Sequence, residues 1–165
     1  MTTTAQQGRI SVTRRIDAPA TQIFTLLTDP ARHPGIDGSG MVRDGRGNPV
    51  LSSVGDVFRM QMHHQEWGPY EMDNHVTEFE PNRRISWEPR PVANPGDAEE
   101  KVPGYYVWGY ELEPVGDATI VTESFDCTRS PQWLREATDE GEGWREAMIE
   151  TLDKLSEECA RLGAR

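Results

Sequence analysis

The chain has 165 residues, the size of one typical domain, and its formal net charge at pH 7 is −11. This acidic excess disfavours binding to nucleic-acid phosphates and to anionic membrane surfaces, because both require a basic face. No apolar run approaches the length of a membrane-spanning helix, whereas five Trp, four Tyr and four Phe residues argue against a disordered chain.

Residues 1–8 are rich in Thr and Gln and lack the positive and apolar segments of a signal peptide. We therefore expect a disordered tail over 1–8, a single domain over 9–165, and a cytoplasmic location. Two cysteines, Cys127 and Cys159, are too few for a disulfide framework. We expect both to be free buried thiols, with a redox pair as the alternative.

The first third of the chain predicts a strand followed by two short helices. Apolar and polar residues alternate over 10–16, which is typical of a half-buried strand. Apolar residues recur at helical spacing over 20–28, and Asp29-Pro30 ends or bends that helix. The Gly-rich stretch 35–47 is interpreted as a loop or an irregular edge strand.

The middle of the chain predicts antiparallel strands. Segments 57–64 and 70–79 alternate in polarity across a turn-rich connection at 65–69, which predicts a hairpin with one apolar and one charged face. A turn at 80–83 then leads into a strand that carries Trp87. The expected cross-strand pairs are His64 with Tyr70, Met62 with Met72, Met60 with Asn74, Phe58 with Val76, and Trp87 beside Val76.

A long loop over 90–104, rich in Pro, Gly and acidic residues, is typical of a functional lid or a mobile segment. A second hairpin follows, formed by 106–113 and 118–126. Its expected pairs are Leu112 with Thr119, Tyr110 with Val121, Trp108 with Glu123, and Tyr106 with Phe125. These pairs predict an aromatic inner face with one carboxylate among the rings.

The carboxyl-terminal segment predicts a long amphipathic helix. Ser130-Pro131 is a favourable helix start. Apolar residues then recur every three or four positions at Trp144, Met148, Leu152, Leu155, Cys159 and Leu162. One helix over about 131–162 keeps this stripe in register. Gly141 and Gly143 weaken that helix, so a break with the firm helix starting near 143 is the alternative.

These elements form an α+β arrangement, and several segments carry a family resemblance over about residues 9–162. The segments are 10–19, Ile23-Phe24, 27–30, 54–56, 76–81, 85–87 and 110–114. The chain resembles the START-like or SRPBCC superfamily, in its polyketide cyclase/dehydrase and lipid transport branch. The resemblance implies a helix-grip fold, in which a curved antiparallel sheet of about six to seven strands wraps the long carboxyl-terminal helix around a hydrophobic cavity. It carries over no catalytic residues.

The inner face of this fold provides the candidate ligand-binding residues. Methionine side chains are flexible and polarisable, so a cluster of Met60, Met62 and Met72 facing Met148 suits an adaptable pocket wall. For Phe58, Val76, Leu112 and Val121 on the same face, the simple interpretation is core. The full candidate set is Met60, Met62, His64, Tyr70, Met72, Asn74, Trp87, Trp108, Tyr110, Glu123, Phe125, Trp144 and Met148.

Among the polar candidates, His64, Asn74 and Glu123 would orient a ligand in a mostly apolar cavity. A buried carboxylate without a partner is strongly disfavoured. Glu123 therefore bonds to the Trp108 indole or a Tyr hydroxyl, orients a ligand, or acts as an acid or base. His63 and His64 point to opposite faces of one strand, and we predict no metal site and no cofactor.

The primary functional hypothesis is a binding or carrier protein for a small hydrophobic molecule such as a lipid or polyketide. The alternative is a polyketide cyclase or dehydratase in which Glu123, Tyr110 or His64 transfers protons. A third class is protein interaction, as in the family branch that activates a heat-shock ATPase. We expect no nucleic-acid partner and no membrane insertion. The sequence leaves open whether the protein forms a homodimer.

Overall fold

The computed structural model describes residues 2–93, 96–97 and 103–163, and its helices and strands follow the predicted order. The strands are β1 (Thr2–Gln6), β2 (Arg9–Ile16), β3 (Val42–Asp44), β4 (Val57–His64), β5 (Gly68–Glu80), β6 (Arg84–Pro91), β7 (Val107–Val115) and β8 (Ala118–Asp126). The α-helices are α1 (Ala20–Leu27), α2 (His33–Ile36), α3 (Gln132–Ala137) and α4 (Arg145–Gly163), and two 3-10 turns span Pro30–Arg32 and Glu142–Trp144.

The eight described strands form one antiparallel sheet in the order β1-β2-β8-β7-β6-β5-β4-β3. The α+β helix-grip prediction is confirmed, with the two extra strands at the sheet edges. One of them, β1, lies where a disordered tail is predicted, and it pairs with the free edge of β2. The other, β3, lies inside the Gly-rich stretch and pairs with β4, which is the irregular edge strand of the second predicted alternative.

Both predicted hairpins form with the expected faces inward, but their partners differ by two residues. In the first hairpin Met60 pairs with Met72 and Met62 with Tyr70, because the connection spans three residues, 65–67. The predicted partners of these residues, and of Phe58 and His64, are therefore wrong. Since side chains alternate with a period of two, a shift of two keeps every residue on its face.

The second hairpin shows the same displacement. Tyr110 pairs with Glu123 and Trp108 with Phe125. The predicted partners, Val121 and Glu123, are therefore wrong by two residues. The turn is a tight one at Gly116-Asp117, and Gly116 has a φ of 61°, which favours glycine. The predicted placement of Trp87 beside Val76 is confirmed.

The carboxyl-terminal segment is broken, as in the second of the two predicted alternatives. Gly141 has a φ of 93°, and α4 begins at Arg145. A side chain at Gly141 would lie 3.1 Å from atoms of Ile10 and Phe125, so the break also lets the chain pass close to the sheet. The buried stripe of α4 consists of Met148, Thr151, Leu152, Leu155 and Cys159, and it packs on the inner face of the sheet.

Three further expectations concern smaller features. Cys127 and Cys159 are both free and buried, as predicted. The loop predicted over 90–104, a lid or a mobile segment, begins after β6, which extends to Pro91, and residues 94–95 and 98–102 of it lie outside the described residues. Within the described part of the chain, no helix is long and apolar enough to cross a membrane.

Candidate ligand cavity

A cavity of about 170 Å³ lies between the inner face of the sheet and the helical layer. Its walls come from β4–β8, from α1, α2 and the segment after α2, and from α4 with its preceding 3-10 turn. The described lining residues are Leu27, His33, Ile36, Asp37, Ser39, Met41, Val42, Phe58, Met60, Met62, Tyr70, Met72, Asn74, Trp87, Pro89, Tyr106, Trp108, Tyr110, Glu123, Trp144, Ala147, Met148 and Thr151.

Methionines form a continuous part of this wall. The register places Met60 opposite Met72, with Met62 beside them on the same face of β4. Met148 of α4 contributes to the cavity from the helical side and is only 1% exposed. Since methionine adapts its shape at low cost, this wall can accommodate ligands of different outline.

Aromatic rings form another part of the cavity wall, the aromatic end. The ring centroids of Trp108 and Trp144 lie 5.4 Å apart in an edge-to-face arrangement. Those of Trp87 and Tyr110 lie 5.8 Å apart. Such contacts fix the rings in place, so this end is more rigid than the methionine wall.

Glu123 places a buried carboxyl group in the wall. The residue is 4% exposed, and the hydroxyl of its cross-strand neighbour Tyr110 donates a hydrogen bond to the carboxyl group. Burial raises the pKa of Glu123 well above its ordinary value, and the negative charge of Asp37 adds to that shift. Among the described residues, its Oε2 atom has no hydrogen-bond partner. The expected Tyr partner is therefore present, while one oxygen is unpaired.

His33 is a neutral, oriented histidine in the wall contributed by α2. Its Nε2 atom lies 2.8 Å from the carbonyl oxygen of Leu27, and since a carbonyl only accepts, Nε2 carries the proton. Burial lowers the pKa of His33, which keeps the ring uncharged. The ring stacks on Trp87 with centroids 5.3 Å apart.

The segment after α2 is fixed to α4 by close backbone contact. The Gly38 amide donates to Thr151 Oγ1 at 2.9 Å, and a Cβ atom at Gly38 would lie 2.2 Å from the Ala147 carbonyl oxygen. The Lys154 ammonium donates to the Asp37 carbonyl oxygen at 2.9 Å. Only glycine allows this approach, which sets the position of the Asp37 side chain.

The Asp37 carboxylate is engaged by its own segment. It accepts hydrogen bonds from the Ser39 amide and hydroxyl and from the Val42 amide. No Lys or Arg residue of the described chain lines the cavity. The site therefore combines apolar walls with neutral polar groups and one engaged carboxylate.

Eleven of the thirteen candidate residues line the cavity; His64 and Phe125 do not. His64 lies at the end of β4 and stacks on the exposed ring of Trp67 with centroids 3.8 Å apart. Phe125 faces inward but is 1% exposed and lies behind Trp108 and Trp144. Whether the other eleven contact a ligand stays a prediction.

Sequence reasoning missed the part of the wall that follows α1. His33, Asp37 and Ser39 lie in short irregular elements where no periodic pattern indicates which side chains point inward. The one local signal is the Asp37-Gly38-Ser39 sequence, since Asp and Ser stabilise turns and Gly permits close approach. Among the described residues, no group of three His, Cys, Asp or Glu side chains could hold a metal ion.

The fold is an α+β domain with a cavity between its sheet and its helices, and comparison with known proteins identifies its family. The family described as polyketide cyclase / dehydrase and lipid transport matches residues 7–160. The chain belongs to this family, as the sequence resemblance predicts.

Individual relatives agree with this assignment. The chain is 31% identical over 164 residues to the Mycobacterium tuberculosis protein Rv0088, covering 95% of this chain and 66% of that protein. It therefore spans slightly less than two thirds of the curated relatives it matches. The crystal structure of NE0264 from Nitrosomonas europaea has a TM-score of 0.73 at 16% identity, covering 98% of this chain and all of that one.

A further structural neighbour is DynU16, a protein in the dynemicin biosynthetic locus. Its TM-score is 0.59 at 18% identity, and the match covers 92% of this chain and 47% of DynU16. At such identities the structural neighbours show the fold alone.

Proposed function

We propose that the protein binds a small hydrophobic molecule in the cavity between its sheet and α4, and acts as a carrier for it. The observation that carries this proposal is a wall contributed mainly by apolar and aromatic side chains, interrupted by a few placed polar groups. Small-molecule sites in proteins have this composition. The family's description, polyketide cyclase / dehydrase and lipid transport, supports the same class of ligand.

The cavity volume limits the size of the ligand. An apolar cavity of about 150 Å³ holds a benzene-sized molecule, and the cavity here measures about 170 Å³. A single ring with a short chain therefore fits without rearrangement, whereas a diacyl lipid does not. The flexible methionine side chains of β4 and β5 allow some enlargement. Affinity would come from apolar burial, worth about 25 cal/mol per Å².

Native mass spectrometry of freshly purified protein tests this proposal. We expect an adduct of small mass that is released on denaturation. Ala147→Leu, which extends a larger side chain into the cavity from α4, should abolish the adduct. Ala160→Leu, at an exposed position of the same helix, should retain it. An adduct of equal occupancy in both variants would place the molecule elsewhere and contradict the proposal.

A second candidate function is a cyclase or dehydratase reaction on a polyketide-like substrate in the same cavity. The hydrogen-bonded pair of Tyr110 and Glu123 favours it, since a buried neutral carboxyl group can donate a proton to a bound substrate. His64, which is outside the wall, is not proposed for this role. Glu123→Gln would abolish turnover in an enzyme, while in a carrier it would change only the affinity.

A further inference from the structure

The ligand of the proposed carrier can be specified further by the unpaired polar atoms of the wall. We propose that the cavity recognises an uncharged molecule through a carbonyl oxygen, which accepts hydrogen bonds from the Glu123 carboxyl group and the Trp144 indole N–H. This inference rests on the proposed function and names the chemical class of its ligand.

The first observation is a pair of buried polar atoms in one wall. Glu123 Oε2 and Trp144 Nε1 are both inaccessible to solvent and have no hydrogen-bond partner among the described residues. Buried polar atoms in proteins are almost always hydrogen-bonded, so each such exception requires an explanation. Both residues line the cavity, and a bound polar group would supply the partner.

The second observation is that the two side chains occupy neighbouring positions. Glu123 and Phe125 lie two residues apart on β8, so they share the inner face in adjacent rows of the sheet. Trp144 packs over the second of these rows, with its ring centroid 6.1 Å from that of Phe125. The two side chains therefore belong to the same part of the wall, as shared recognition of one carbonyl group requires.

The third observation concerns the protonation of Glu123. Burial raises the pKa of this carboxyl group, and the negative charge of Asp37 after α2 adds to that shift. The Tyr110 hydroxyl on β7, whose own pKa is raised, donates to the carboxyl group and lowers the pKa of Glu123, but the balance still favours the neutral acid. His33, the described histidine of the wall, is neutral. A protonated carboxyl group has one O–H donor.

Two donors together select the ligand atom. An indole N–H can only donate, and the acid O–H also donates, so the matching group is an acceptor with two lone pairs, such as a carbonyl oxygen. A carboxylate ligand would bring a second negative charge beside Asp37 with no Lys or Arg in the described wall, which is strongly unfavourable. A ketone or lactone is therefore preferred over a fatty acid.

The test uses three probes of matched size: n-butylbenzene, 4-phenyl-2-butanone and 4-phenylbutanoate. Calorimetric titration of the wild-type protein should show binding of the hydrocarbon and the ketone and exclusion of the carboxylate. Glu123→Leu should lower the affinity for the ketone relative to the hydrocarbon by about tenfold, and Trp144→Phe by about fivefold. The matched controls Glu113→Leu and Trp133→Phe, at exposed positions, should change neither affinity.

The pH dependence gives a second readout that a structural role would not produce. The wild-type preference for the ketone should decline as pH rises through the pKa of Glu123, because a carboxylate cannot donate. Glu123→Gln, whose amide donates at every pH, should keep the preference for the ketone in alkaline solution. This variant also provides a test if Glu123→Leu does not fold. Hydrocarbon binding with a ketone preference unchanged in Glu123→Leu would overturn this inference and leave the proposed function intact. If Glu123→Leu does not fold, a ketone preference that is unchanged in Trp144→Phe, or that declines with pH in Glu123→Gln as it does in the wild type, has the same consequence. Absence of binding by all three probes would contradict both.

Discussion

The two halves of the sheet's inner face carry different side chains, and they differ in how completely those side chains are buried. On β2 and β8, Ile10, Val12 and Val121 are fully buried, and none of the three borders the cavity. On β4 and β5, Met62, Tyr70 and Met72 are only partly buried and border the cavity. The same sheet therefore provides a filled core at one side and a cavity at the other.

The difference follows from the shapes of the side chains. Branched side chains such as Ile and Val occupy few rotamers and fill space reproducibly. Methionine has three rotatable side-chain bonds and specifies a packing arrangement only weakly. Helix α4 spans both halves, with Leu152 and Leu155 in the filled core and Ala147 and Met148 at the cavity. The filled core and the proposed binding site thus lie along different parts of one helix, and this separation can be tested.

The largest expected effect is at the filled half. Leu152→Ala removes a fully buried side chain from α4, and it should lower the free energy of unfolding by about 2–5 kcal/mol. Met72 borders the cavity, so its side chain makes fewer packing contacts. Met72→Ala should therefore lower the free energy of unfolding by only about 1 kcal/mol. Urea-induced unfolding of both variants measures the difference. Equal losses would show that the two halves are packed alike.

The next largest effect is expected at the contact between α4 and the segment that follows α2. Gly38→Ala places a Cβ atom against the backbone of α4, and it should lower the free energy of unfolding by about 1–3 kcal/mol. Gly35→Ala is the matched control, because a Cβ atom there meets nothing within 4 Å. Thermal unfolding of the two variants distinguishes them. A Gly38→Ala protein as stable as Gly35→Ala would refute the fixed position of this segment.

A smaller, pH-dependent effect tests the buried acid. Between the ordinary pKa of glutamate and the raised pKa of folded Glu123, the unfolded chain has released a proton that the folded protein retains. The free energy of unfolding therefore falls as pH rises, by up to about 1.4 kcal/mol per pH unit. Glu123→Gln removes this dependence, so its stability relative to wild type should increase with pH.

Denaturant unfolding across a pH series measures this effect. Glu113→Gln, on the exposed part of β7, is the control and should differ from wild type by a constant amount. A constant difference for Glu123→Gln as well would mean that Glu123 is ionised in the folded protein. That result would also remove the donor on which carbonyl recognition depends.

The sequence allowed prediction of strand faces better than strand partners. Alternation assigned Met60, Met62 and Met72 to the inner face regardless of the register, because a shift of two residues keeps the face. The partners depend on turn length, which the residues of 65–69 do not determine. The same reasoning explains why Glu123 was placed inside correctly but paired with Trp108 instead of Tyr110.

The irregular wall of the cavity could not be predicted in this way. His33 and Asp37 reach the cavity through tertiary contacts of short helical segments, such as the approach of Gly38 to α4. His64 shows a different failure, since alternation predicts its face of β4 correctly but not that it stacks on Trp67 at the strand end, beyond the cavity. Periodicity carries information about regular strands and helices and little about their ends.

The most direct test of the cavity as a binding site is calorimetric titration of n-butylbenzene into the wild-type protein, Ala147→Leu and Ala160→Leu. We predict one-to-one binding with a negative heat-capacity change for the wild type and Ala160→Leu, and no binding for Ala147→Leu. Absence of binding to the wild type, or undiminished binding to Ala147→Leu, would contradict a ligand cavity between the sheet and α4.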